Sequence, residues 1–105
     1  MIRNISVTEL DQWMKADSAV IVDVREPNEY QDGHIPGVPL IPVGQISLYQ
    51  LPDFKGRKLV MQCRSGGRSQ TACTKLLTED PSLDIYNLAG GILAWEKAGL
   101  PITKD

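Results

Sequence analysis

The chain has 105 residues, 42% of them hydrophobic and 23% charged, with a formal net charge of −2. A chain of this size buries roughly two-thirds of its unfolded surface, so one domain over residues 1–105 is expected, and the balanced charge makes no case for nucleic acid or an anionic membrane surface as partner. No apolar run reaches the ~18 residues of a membrane span and the first residues lack an apolar leader core, which makes a cytoplasmic location the expectation; two cysteines and one histidine are too few for a disulfide scaffold or a structural zinc site, so neither metal nor cofactor is expected.

Along the chain, Ser6-Val7-Thr8-Glu9 has the spacing of a capping box. Leu10, Trp13 and Met14 follow at helical intervals, predicting a first helix. Ala19-Val20-Ile21-Val22 is almost wholly apolar and leads into Asp23-Val24-Arg25, the pattern of a strand buried on both faces. Glu26-Pro27 puts proline where a helix starts, with a short turn of helix running to Asp32. Residues 38–41 predict a short strand whose Pro39 places it at an edge or strand start. Lys58 to Gln62 is a further strand. Residues 69–78 form a helix with Ala72, Cys73, Leu76 and Leu77 on one face, and residues 83–88 another strand. Residues 90–98 form a last helix, stopped by Gly99 and Pro101. Strands alternating with helices predict an α/β domain, a mainly parallel sheet with helices on both faces. In such folds ligands sit outside the carboxyl ends of the strands.

Cys63 stands at such an end. The stretch Cys63-Arg64-Ser65-Gly66-Gly67-Arg68-Ser69 reads as a strand-to-helix turn. Gly66 and Gly67 permit positive φ, successive amides then point into one concavity, and the following helix adds its free N–H groups and dipole. Arg64 and Arg68 add positive charge. Together these favour a thiolate, a nucleophile inside a site for a small anion.

Asp23 and Arg25 read as an ion pair or loop anchor near that face, because buried charges need partners. His34 reads as part of a fixed turn with its imidazole on backbone. Cys73 sits on the apolar stripe of its helix and reads as core, as do Trp13 and Trp95.

The Cys63–Ser69 stretch resembles the active-site loop of the rhodanese (thiosulfate sulfurtransferase) family. Val22-Asp23-Val24-Arg25-Glu26, Gly33-His34-Ile35-Pro36-Gly37, and the segment from Leu88 through Gly90-Gly91 and Trp95 to Pro101 resemble its other signatures, in the same order. The resemblance implies a rhodanese-like domain of about five strands in its single-domain form. It implies Cys63 as the catalytic cysteine, carrying a persulfide steadied by the amides from Arg64 to Ser69. It also implies a small anionic donor such as thiosulfate and a thiol or cyanide acceptor. Rhodanese-like phosphatases and arsenate reductases have five residues between cysteine and arginine. Cys63 and Arg68 have four, a smaller cup that suits a sulfur atom better than a phosphoryl group. A non-enzymatic sulfur-carrying module of a larger protein is the third reading.

Overall fold

A computed structural model describes residues 1–104. Four strands, β1 (Ile2–Ile5), β2 (Ala19–Asp23), β3 (Lys58–Gln62) and β4 (Ile85–Leu88), form one parallel sheet in the order β1-β4-β3-β2. The helices are α1 (Val7–Lys15), α2 (Pro27–Asp32), α3 (Gly67–Glu79) and α4 (Gly91–Lys97), with a single 3-10 turn at Leu48–Gln50.

The pleat sorts the side chains into two cores, because successive residues of a strand point to opposite faces. Val20, Val22, Leu59, Met61 and Ile85 face one way and meet Ala72, Cys73 and Leu76 of α3. Ala19, Ile21, Val60, Tyr86 and Leu88 face the other way and meet Leu10 of α1 and Ile92 and Trp95 of α4. Both faces of β2 and β3 are therefore apolar, which is why their sequences show no alternation. Helices on both faces of a parallel sheet are the architecture expected from the sequence.

Two expectations change. The sheet has four strands, not five. Residues 38–41 contribute one parallel bridge, Asp23 to Leu40, made by Asp23 N–H to the Pro39 carbonyl and Ile41 N–H to the Asp23 carbonyl. Proline has no N–H to extend that ladder. In addition, β1, a strand the sequence did not reveal, joins the far edge of the sheet by pairing with β4.

The capping box at the start of α1 forms as expected. Glu9 N–H donates to Ser6 Oγ at 3.1 Å, and Ser6 N–H donates to Glu9 Oε1 at 3.2 Å. Ser6→Ala removes one of these partners and is expected to cost about 1 kcal/mol, read as a lower urea midpoint at unchanged slope.

Candidate active site

Cys63 follows β3 directly, at the carboxyl edge of the sheet. Its carbonyl accepts from Gln62 Nε2 at 3.0 Å and from Ile92 N–H at 2.9 Å, and the Arg64 carbonyl accepts from Leu93 N–H at 3.1 Å. The free amides at the start of α4 thus fasten the first two residues of the loop. Gly91 permits this approach: a Cβ there would lie 2.4 Å from the Arg64 oxygen.

The loop then turns through Gly66, whose φ of +112° is a left-handed conformation that glycine adopts without strain. Gly67 has no positive φ and already belongs to α3, so the helix begins earlier than residues 68–69 and brings its first turn against the sulfur. Gly66 N–H donates to Cys63 Sγ at 3.1 Å, and the Ser69 hydroxyl lies 3.3 Å from the same sulfur. Cys63 is only 1% exposed, a tighter enclosure than an open cup. Burial raises the thiol's pKa. The Ser69 hydroxyl and the amides of Ser69, Gly66 and Ser65 stabilise the thiolate, and the balance leaves the pKa below the ordinary thiol value. Four donors from one turn outweigh desolvation here.

The two arginines differ. Arg68 donates from Nη1 to Glu29 Oε1 at 2.6 Å and from Nη2 to Oε2 at 2.8 Å, a bidentate pair. Glu29 also closes the capping box of α2 by accepting from Glu26 N–H at 3.0 Å. The Arg68 hydrogen bonds hold the Glu29 carboxyl at a pKa of about 2 against the cost of partial burial. Arg64 is exposed and has no ion pair among the described residues. Glu29 was not singled out in the sequence; its spacing after Glu26 marks a helix start and says nothing of a partner 39 residues away.

Asp23, Arg25 and His34 form a separate cluster one strand over. Arg25 donates from Nε and Nη2 to the fully buried Asp23 carboxylate, and Nη2 also donates to the Gly33 carbonyl at 2.8 Å. His34 Nδ1 lies 2.8 Å from the Tyr30 carbonyl, so it carries the proton, and the ring stacks on Tyr30. These residues tie residues 23–34 together and make no contact with Sγ. Cys73 lies in the core, where burial pushes its thiol pKa up to about 12.

A second polar group reaches the sulfur's surroundings from below. Asn87 of β4 faces α3; its Oδ1 accepts from the Ser69 hydroxyl and its Nδ2 lies 3.2 Å from the Gly66 carbonyl. The sequence offered only one signal, an amide in an otherwise apolar strand. A cavity of about 520 Å³ lined by Met14, Ile21, Val38, Pro39 and Arg57 runs along β2 and includes none of residues 63–69. The sulfur site is a cup of backbone, not a cleft.

Comparison with known proteins agrees with this geometry. The Rhodanese-like domain family matches residues 6–98. A Synechocystis protein described as uncharacterised is 37% identical over 95% of this chain, which spans 55% of that protein's length. The thiosulfate sulfurtransferase GlpE of Pseudoalteromonas translucida is 32% identical over 91% of this chain and 90% of its own. A rhodanese-related protein of Thermoplasma volcanium superposes with a TM-score of 0.82 at 27% identity, covering 98% of this chain and 99% of its own. A family match over most of the chain, joined to a parallel α/β fold with a cysteine cradled at a helix start, places the protein in the rhodanese-like family.

Proposed function

We propose that the chain is a single-domain sulfurtransferase in which Cys63 carries sulfur as a persulfide. The Cys63 thiolate attacks the outer, sulfane sulfur of an anionic donor such as thiosulfate. The donor's S–S bond breaks, sulfite leaves with the bonding pair, and a new Sγ–S bond forms with the negative charge on the outer sulfur. Cyanide or a thiolate then attacks that outer sulfur, and Cys63 departs as thiolate. The amides of Ser65, Gly66 and Ser69 already stabilise the thiolate before a donor arrives.

The observation that carries this reading is a cysteine whose thiolate is stabilised by loop and helix amides although the residue is buried. The side from which the donor approaches Sγ is the loop of residues 64–68, all exposed or half-buried. In this reading Arg64, carrying no ion pair among the described residues, attracts the donor. Arg68 orders the loop through Glu29. That pairing weighs against a phosphatase, which needs its loop arginine for the phosphoryl oxygens.

Intact mass after brief exposure to thiosulfate tests the proposal. The expected result is a gain of one sulfur atom, mapped to Cys63 and removed by cyanide with release of thiocyanate. A protein that gains no sulfur yet hydrolyses an aryl phosphate overturns it.

A further inference from the structure

Within the cup, the Ser69 hydroxyl has one hydrogen for two acceptors. The orientation of the Asn87 amide is set by its neighbours: Nδ2 lies 3.2 Å from the Gly66 carbonyl, which only accepts, so Oδ1 faces Ser69. The Ser69 hydroxyl touches both Asn87 Oδ1 and Cys63 Sγ, and a hydroxyl has a single hydrogen to give. While Cys63 is a thiol the demands agree: S–H donates to Ser69 Oγ, and Ser69 O–H donates to Asn87. Once the thiol proton leaves to water, the thiolate only accepts. The Ser69 hydrogen must then turn to sulfur and leave Asn87 Oδ1 without it.

We propose that Asn87 is a positioning residue that sets the readiness of the nucleophile by competing with Cys63 Sγ for the Ser69 hydroxyl hydrogen. This rests on the reading of Cys63 as the nucleophile. The groups bear it out: Ser69 is fully buried and Asn87 5% exposed, so water does not supply a substitute partner freely. The remaining amide contacts of Asn87, to Asn4 Oδ1 and Gln70 Oε1 at 3.2 Å, end on exposed residues.

Other charges near the sulfur stay constant in this comparison. From α3 come Arg68 and the un-ionised Cys73; from α2 and its N-cap, Glu29 and Glu26 act on Arg68; from the loop comes Arg64; from the end of β2, the Asp23–Arg25 pair. Tyr86 of β4 packs on the opposite face of the sheet, and the charged residues of α4, Glu96 and Lys97, lie exposed at its far end.

The test is the pH profile of Cys63 alkylation by iodoacetamide, followed at that residue by peptide mass, in Asn87→Leu, Ser69→Ala and the double variant. Asn87→Leu leaves the hydrogen to the thiolate, and the midpoint is expected to fall by about half to one pH unit. Ser69→Ala raises it. In the Ser69→Ala background, Asn87→Leu is expected to leave the midpoint where Ser69→Ala put it, because the competition acts only through the hydroxyl. An Asn87→Leu shift of equal size with and without Ser69, or a rise in the midpoint when Ser69 is present, overturns the proposal. Asn87→Ala serves the same cycle if the leucine variant does not fold. A wild-type midpoint in the ordinary thiol range would count against the nucleophile reading instead, and the differences within the cycle would still decide the role of Asn87.

Discussion

Cys63→Ser should abolish sulfur transfer while leaving the protein folded. Thiocyanate formation from thiosulfate and cyanide is expected to fall by at least about 10³-fold, as when a covalent nucleophile is removed from other enzymes. A serine hydroxyl is un-ionised at neutral pH, and its oxygen makes no persulfide. The fold tolerates the change because a serine oxygen still accepts from Gly66 N–H and from Ser69. The unfolding free energy should stay within about 1 kcal/mol of the wild type. The pH dependence of the wild-type rate follows from the thiolate. Burial raises the pKa and the hydrogen bonds more than recover it, so the rate should reach its plateau below the ordinary thiol range and fall as pH drops through the lowered value. Undiminished turnover in the serine variant would remove Cys63 from the reaction.

Gly91→Ala is expected to damage both stability and activity, although the residue touches no substrate. Its φ is +57°, where an L side chain is strained. The added Cβ would lie 2.4 Å from the Arg64 oxygen, 2.5 Å from the Arg64 carbonyl carbon and 2.5 Å from the Cys63 oxygen. All three are backbone atoms, so no side chain can swing aside. Either α4 backs away from the loop or the loop moves, and the bonds from Ile92 N–H and Leu93 N–H to the loop carbonyls are lost. We expect a cost of about 3 kcal/mol or more and a drop in kcat/KM as the Gly66 amide leaves the sulfur. Gly67→Ala is the contrast. Gly67 is helical in α3, and a Cβ there meets nothing within 4 Å, so the variant should stay near wild type in urea denaturation. Equal behaviour of the two alanine variants would show that α4 does not hold the loop.

The sequence was legible where structure is made by neighbours in the chain. Lys58–Gln62 appears as β3 with those bounds, and the Ser6–Glu9 capping box needs only four consecutive residues. The cysteine cup belongs to the same class: a strand end, a glycine turn and a helix start are seven successive residues, and their amides converge on Sγ by local geometry. By contrast, β1 is a strand only because β4 lies beside it. Two of its four residues are exposed and polar, so Ile2–Ile5 has no apolar run to announce it. Residues 38–41 look like a strand locally, yet Pro39 and the position beyond Asp23 leave a single bridge.

Composition, apolar period and turn chemistry by themselves determined the α/β class, the placement of Cys63 at a strand end and the glycine turn and helix start that follow it. Only the tertiary structure decided what those groups are free to do. Glu29 reaches Arg68 across 39 residues, and Asn87 meets Ser69 across 18. Gly91 meets the loop only because α4 starts beside it. The physical reason is that hydrogen bonds and charge pairs depend on distance in space, and no periodicity along the chain encodes which distant side chain will satisfy a given donor.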